Sequence, residues 1–233
     1  MIIFARREIA RRAFCFGEKK MKAVIFDMDG VLVDSQPYHF KADIDTMAEY
    51  GVIKDQKFYE AFAGTLTDNR MRTLRDMFGL DVPAEELIEK REKMILDIMA
   101  NEDIKPVSGI PELLRSIKAL GLKTAVASSS GIELIKLVLD RLGIAVYFDS
   151  ITSGNDVKRG KPSPDIFLLA AERIGAEPSE CLVVEDSENG VRAAKAAGMT
   201  ALGYVNPTSG NQCLDMADAV TDDFRKVDIN DFM

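Results

Sequence analysis

Residues 22–35 read KAVIFDMDGVLVDS: four consecutive apolar residues, Ala23 to Phe26, run into two aspartates, Asp27 and Asp29, separated by a single residue. A strand with one wet face alternates apolar and polar side chains. An unbroken apolar run instead predicts a strand covered on both faces, in the middle of a parallel sheet. Open α/β sheets bind ligands outside the carboxyl ends of such strands, which is where both aspartates fall. Carboxylates this close repel one another, and a divalent cation is the simplest relief. Oxygen-only ligation suits Mg2+: the Asp27 carboxylate can reach the ion, and Asp29 can offer its backbone carbonyl while its side chain stays free to move protons. Taken alone, the pair is equally compatible with a solvated turn.

Three further segments bear on that choice. KTAVASSS, residues 123–130, is a second apolar strand ending in hydroxyls. There the Ser128 hydroxyl and the backbone N–H groups of Ser129 and Ser130 can hold an anion; capping of a helix that begins near Ile132 is the ordinary alternative. GKPSPDI, residues 160–166, sets Lys161 on a proline-stiffened turn, with Ser163 as a helix N-cap and Pro164 at the first helical position. CLVVEDSENG, residues 181–190, is another apolar strand, and it ends in a second acid pair, Glu185 and Asp186, able to complete the oxygen shell of one ion. Each segment has an everyday explanation. An acid pair, a hydroxyl, a lysine turn and an acid pair, in that order at successive strand ends, do not share one.

Together the four segments resemble the sequence motifs of the haloacid dehalogenase superfamily of phosphotransferases, over about residues 21–233. In spacing they are similar to the branch that contains β-phosphoglucomutase and small sugar-phosphate phosphatases. The resemblance implies an α/β fold, a three-layer Rossmann-like core with a parallel sheet and an inserted small α-helical cap domain. It implies that Asp27 is the nucleophile that becomes an aspartyl phosphate and Asp29 the general acid and base. Ser128, Ser129 and Lys161 would bind the phosphoryl oxygens, Lys161 also offsetting charge in the transition state. Asp27, Asp29, Glu185 and Asp186 would hold Mg2+. True dehalogenases of the superfamily lack an acid at the place of Asp29, having no ester oxygen to protonate. His39, the only histidine, is similar to a histidine of β-phosphoglucomutases at the start of the cap, and would approach Asp29 rather than bind metal.

The strand-and-helix rhythm stops after residues 34–37. From about Tyr38 to Glu102 helical periods replace it, broken at Gly51, Gly64, Gly79 and Pro83. Within them Leu87, Ile88, Arg91, Ile95 and Ile98 recur at spacings of three or four, the stripe of an amphipathic helix packing a small bundle. The expected division is a core of residues 21–36 and 105–233 and a cap of residues 37–104, placed to close over the sheet edge and expel water. The core resumes with a helix over 111–120, whose Leu113, Leu114, Ile117 and Leu120 face inward. Helices over 165–174 and 191–197 follow, each ended by glycine, with the remaining strands over 200–205 and 218–221. In the cap, Thr67 stands where β-phosphoglucomutases carry an arginine that grips a second phosphate. Arg70 or Arg72 would have to substitute for it, and a second basic position is acidic, at about Glu92. These gaps favour a hydrolase over a mutase.

A net charge of −8 argues against nucleic-acid binding, which needs basic surface to displace counterions. No apolar run reaches the ~18 residues that a membrane span needs. The cysteines Cys15, Cys181 and Cys213 are scattered and odd in number, which fits a reducing cytoplasm better than a disulfide framework. Residues 1–20 stand apart, with six basic side chains against two acidic ones. They are expected to be an extension upstream of a start at Met21, a targeting peptide or an anion-binding arm being the alternatives. The function expected is that of a cytoplasmic, monomeric, Mg2+-dependent phosphohydrolase whose partner is a small phosphorylated metabolite, a sugar phosphate first of all, with no nucleic acid and no membrane. β-Phosphoglucomutase and inorganic pyrophosphatase are the alternatives. A catalytically idle binding protein is the different class to weigh, and the presence of both Asp27 and Asp29 speaks against it.

Overall fold

The computed structural model describes residues 21–62, 67–210 and 212–233. The expectations for residues 1–20, and the break at Gly64, lie outside the described residues. The sheet has six strands, β1 Ala23–Phe26, β2 Lys123–Ser128, β3 Ser150–Ser153, β4 Cys181–Glu185, β5 Thr200–Tyr204 and β6 Ala219–Thr221. All neighbours are parallel, in the order β3-β2-β1-β4-β5-β6. The chain winds outward one way through β2 and β3, then returns to the far side of β1, so the order reverses between β1 and β4. Such a reversal opens a crevice at the carboxyl edge.

The helices are α1 Gln36–Ala48, α2 Gln56–Glu60, α3 Thr67–Phe78, α4 Ala84–Asn101, α5 Ile110–Ala119, α6 Ile132–Arg141, α7 Asp165–Ile174 and α8 Glu188–Ala196. They explain why β1 is apolar throughout. Val24 and Phe26 enter one apolar layer with α5 and α6, while Ala23 and Ile25 enter the other with α7 and α8. In register, Phe26 lies between Val126 and Val184, so Asp27, just past β1, and Glu185, the last residue of β4, come to the same edge.

Between β1 and α5 the described chain is helical, as expected, in α1 to α4. Phe40, Met47, Val52, Tyr59, Met71, Leu74 and Leu87 form a hydrophobic cluster separate from the two that sandwich the sheet. Among these helices lies a largely buried ion cluster. Asp43 accepts from Arg91 Nε at 2.9 Å and pairs with Arg70 Nε at 2.9 Å, binding α1, α3 and α4 to one another. The stripe on α4 does more than pack a bundle. Leu87 belongs to the helical cluster, but Ile95, Ile98 and Met99 join the layer beneath the sheet. At 18 residues α4 is about 27 Å long and outruns the bundle.

Four details depart from the sequence reading. Strand β3 is an addition: SITS has too few apolar residues to signal a strand, yet it pairs with β2 as the sheet edge. Leu120 follows the end of α5 and is 40% exposed, because Gly121, with φ +73°, turns the chain away there. α8 begins three residues early, at Glu188, where the Ser187 hydroxyl accepts from Gly190 N–H. At the start of α7 the cap position is Pro164, and the Ser163 hydroxyl donates instead to Asp165 Oδ1 at 2.8 Å.

Replacing Asp43 by alanine removes the one carboxylate that both buried guanidinium groups share. Breaking a buried pair in this way costs ~3–5 kcal/mol. Denaturant unfolding of Asp43→Ala is expected to show a loss of that size, and a midpoint equal to wild type would mean that the arginines find solvent.

Candidate active site

Asp27 is the first residue beyond β1 and only 6% exposed. The chain then turns tightly: Gly30 N–H donates to the Val33 carbonyl at 2.8 Å, and Leu32 N–H to that of Met28 at 2.9 Å. Gly30 has φ +82°, and a Cβ on it would sit 2.0 Å from Asp186 Oδ2. No other residue allows this turn to close against the second acid pair.

The Lys161 ammonium donates to Asp27 Oδ1 at 2.6 Å and to Glu185 Oε1 at 2.5 Å. Its stem is covered, the ammonium lying 5.0 Å from the centre of the Phe167 ring. The other Glu185 oxygen accepts from the Ser187 N–H and hydroxyl, both at 2.9 Å, and Asp186 Oδ2 accepts from the Ser209 hydroxyl. One carboxylate oxygen each from Asp27, Glu185 and Asp186 come within 4.8 Å of one another. Burial, only partly offset by Lys161, and the neighbouring acids push the Asp27 carboxyl well up from its usual range. Burial and Glu185 raise Asp186 to about 7. On Lys161 burial acts downward, but the charges of Asp27 and Glu185 outweigh it and raise the ammonium. One cation thus faces three crowded, dry carboxylates. The donor set is all oxygen and short of positive charge, which fits a hard divalent cation held by Asp27, Glu185 and Asp186.

Asp29 points elsewhere. Its Oδ1 accepts from the Ser35 hydroxyl at 2.7 Å and from His39 Nε2 at 3.1 Å. Its Oδ2 accepts from the hydroxyls of Ser130 at 2.7 Å and Ser128 at 3.1 Å. The Arg91 guanidinium, 2% exposed, donates to His39 Nδ1 at 2.7 Å. Because arginine only donates, Nδ1 must be the bare nitrogen and Nε2 the one that carries the proton to Asp29. Burial raises the Asp29 carboxyl, but the bonds from His39, Ser35 and Ser130 outweigh it and hold the group far below the ordinary range. The side chain keeps 26% of its surface open. Asp27 and Asp29 therefore stand one residue apart in unlike surroundings.

The structure thus brings Asp27, Lys161, Glu185 and Asp186 into one cluster, and Asp29, His39 and Ser128 into an adjoining one. Ser128 is occupied by Asp29 and by the Ser130 N–H at 3.1 Å. The serine run does not cap α6, whose N-cap is Gly131 and whose first-turn N–H groups donate to no capping side chain. The Ser129 side chain is exposed, and its carbonyl lies against Gly154, where a Cβ would approach to 2.5 Å. Lys161 does not follow a strand end directly: it comes eight residues after β3, on the turn before α7. Of the cap arginines, Arg70 is buried on Asp43, and Arg72 pairs with Glu85 at 2.8 Å. Glu92 is 41% exposed, while its neighbour Arg91 turns inward.

Ser35, Asn206 and Ser209 stand outside the sequence expectations for the site, as does the role of Arg91, and Ser130, expected to offer its N–H to an anion, gives that N–H to Ser128 and its hydroxyl to Asp29. Asn206 donates to the Gly30 carbonyl at 3.0 Å across 176 residues of chain, and Thr208 donates to Asp34. The β5–β6 loop thereby straps the turn after β1 to the second acid pair. Its polar NPTSG segment at a strand end was the available signal.

A sequence model of haloacid dehalogenase-like hydrolases matches residues 21–198. The chain belongs to that family and is an enzyme of it. A phosphorylated carbohydrates phosphatase of Thermotoga maritima is 34% identical over 201 residues, 86% of this chain and 93% of the relative. The β-phosphoglucomutase of Bacillus subtilis is also 34% identical, over 191 residues, 78% of this chain and 83% of the relative. Among solved structures, CbbY from Rhodobacter sphaeroides in complex with phosphate superposes with a TM-score of 0.80 at 26% identity, covering 88% of this chain and 96% of that one.

A hydrogen bond to a metal-holding carboxylate tunes the affinity of the site by roughly 10–100-fold. Ser209→Ala, which leaves Asp186 without its hydroxyl donor, is expected to weaken divalent-cation binding by that factor. The shift of the thermal midpoint on titrating Mg2+ reads it directly; an unchanged titration would place Asp186 outside the ion's reach.

Proposed function

We propose that the protein is a Mg2+-dependent phosphohydrolase of small phosphorylated metabolites, sugar phosphates first among them, working through an aspartyl phosphate on Asp27. The observation that carries the reading is the pairing of two aspartates on one turn in opposite circumstances. Asp27 Oδ1 is pinned by Lys161, and its Oδ2 accepts nothing from the described residues, so one oxygen is left to attack. Asp29 is cradled by hydroxyls and His39, aside from the acidic cluster, where it can trade protons with bulk water. When bound, Mg2+ would neutralise the crowded carboxylates and draw charge from a phosphoryl oxygen.

Asp27 Oδ2 attacks phosphorus as the ester oxygen leaves and takes the proton from Asp29. An approaching phosphate dianion raises the affinity of Asp29 for that proton, like charge disfavouring ionisation. Lys161 offsets charge on the transferring group. Asp29, ionised again, then removes a proton from a water that attacks phosphorus, and the bond to Asp27 breaks to release inorganic phosphate. Residues 37–104 serve as the cap that covers the reacting pair, with the His39–Arg91 contact joining it to Asp29.

Equal identity to a carbohydrate phosphatase and to a β-phosphoglucomutase does not choose between hydrolysis and mutase chemistry. A mutase must hold a second phosphate. Here Thr67 is neutral, Arg70 is spent on Asp43 and Arg72 on Glu85, which favours hydrolysis.

With β-glucose 1-phosphate, a trace of glucose 1,6-bisphosphate and Mg2+, free phosphate is expected to appear without glucose 6-phosphate; the reverse would make the protein a mutase. Asp27→Asn should fold normally and lose turnover, and residual activity near wild type would overturn the aspartyl phosphate. His39→Ala removes a donor that holds Asp29 ionised, so the Asp29 carboxyl rises. Rates that need ionised Asp29 are then lost at a higher pH as the solution is acidified. The acid limb of the kcat profile is expected to move up in His39→Ala and to recover in part in His39→Gln, whose amide can replace Nε2.

A further inference from the structure

The edge strand β3 contributes no side chain to either cluster at the site, yet its last residue reaches back to the serine run. In register Ser153 pairs with Ser128, so the chain leaving β3 runs beside the loop that leaves β2. The Ser153 hydroxyl is 0% exposed; it donates to the Ser130 carbonyl at 2.7 Å and accepts from Asn155 N–H at 3.2 Å. The Ser153 N–H donates to Asp156 Oδ2 at 3.0 Å, and the same oxygen accepts from Arg173 Nη1 at 2.7 Å. Arg173, in the last turn of α7, also donates to the Ile151 carbonyl at 2.9 Å. The end of β3 is thereby fixed to α7 as well as to β2.

Gly154 makes a second contact with the same run. A Cβ there would lie 2.5 Å from the Ser129 carbonyl oxygen and 3.0 Å from the Ser129 carbonyl carbon. Gly154 is not among the glycines with positive φ, so what it supplies is room: two main chains touch where any side chain would part them. The carbonyls of Ser129 and Ser130 are therefore both held from β3, one by close packing and one by a hydrogen bond. Of the two N–H groups, that of Ser130 goes to the Ser128 hydroxyl at 3.1 Å. The Ser129 N–H donates to nothing among the described residues. Its peptide lies between strand β2 on one side and the braced Ser129 carbonyl on the other. A donor fixed in this way meets a developing charge without reorganising, which is what makes such donors effective in a transition state.

We propose that Ser153 and Gly154 are positioning residues for the phosphoryl group: from the end of β3 they hold the Ser129 N–H where it meets a transferring oxygen. The inference rests on the phosphohydrolase reading and adds to it two residues that touch neither substrate nor ion. Ser153 must carry a hydroxyl, because one atom has to donate to a carbonyl and accept from an N–H; threonine alone among the ordinary replacements keeps both. Gly154 must lack a Cβ. The two residues act on neighbouring peptides by different means, so losing either has the same consequence for the Ser129 N–H. The acids that suit a divalent ion stand on β1 and β4, apart from this brace.

The test follows the thermal midpoint as inorganic phosphate is titrated in with Mg2+ present. Wild type is expected to be stabilised by phosphate. Ser153→Ala and Gly154→Ala are each expected to need about tenfold more phosphate for the same shift, a factor worth ~1.4 kcal/mol, and Ser153→Thr to recover most of the loss. The shift produced by Mg2+ alone should stay that of wild type in all three. A role in folding only would lower the midpoint without phosphate and leave the phosphate titration unchanged; that result in Ser153→Ala overturns the proposal and leaves the hydrolase reading standing. The two serine variants decide the matter should Gly154→Ala not fold. A wild type that shows no shift with phosphate and releases none from a panel of sugar phosphates would overturn the hydrolase reading, and the brace with it.

Discussion

Everything at the reacting edge depends on one ammonium group placed between two carboxylates. Lys161 joins Asp27, at the end of β1, to Glu185, at the end of β4, across the point where the strand order reverses. Without a cation there, the parallel pairing of β1 and β4 would force two acids together in a site that excludes water. The arrangement is still short of positive charge, and that shortage makes the cluster of Asp27, Glu185 and Asp186 suited to a divalent ion. Gly30 belongs to the same constraint, because the turn closes only where no Cβ meets Asp186.

A second constraint joins the helical insert to the core. His39 has one tautomer because Arg91 occupies its other nitrogen, and Arg91 is itself set by Asp43. Buried ion pairs contribute little net stability, but they specify geometry wherever each member has its partner. Here the chain Asp43, Arg91, His39, Asp29 carries the position of α1 and α4 to the carboxylate proposed to move protons. The lower half of α4, packed under the sheet through Ile95, Ile98 and Met99, supports that chain from the core side.

Much of this was legible in the primary structure, for identifiable reasons. β1, β2 and β4 announced themselves because strands covered on both faces must be apolar throughout, and their ends carried the reactive groups. The helical insert announced itself through a change of period. β3 did not, since an edge strand with one isoleucine among three hydroxyl residues has no such pattern. Nor did the exposure of Leu120, which lies one residue beyond the end of its helix and is carried outward by the turn at Gly121.

The sequence by itself determined the order of chemistry along the chain: acid pair, hydroxyl strand end, lysine turn, acid pair, on strands that can only be central. That information is local, because residue type and spacing are read within a few positions. Only the tertiary structure decided which groups meet. It gave Ser128 and Ser130 to Asp29, not to a helix terminus, turned Arg91 inward and left Glu92 at the surface, and withdrew Arg70 and Arg72 into pairs of their own. Those choices involve partners up to 101 residues apart. They are set by which helix faces can bury their apolar stripe together, and no short stretch of chain records that.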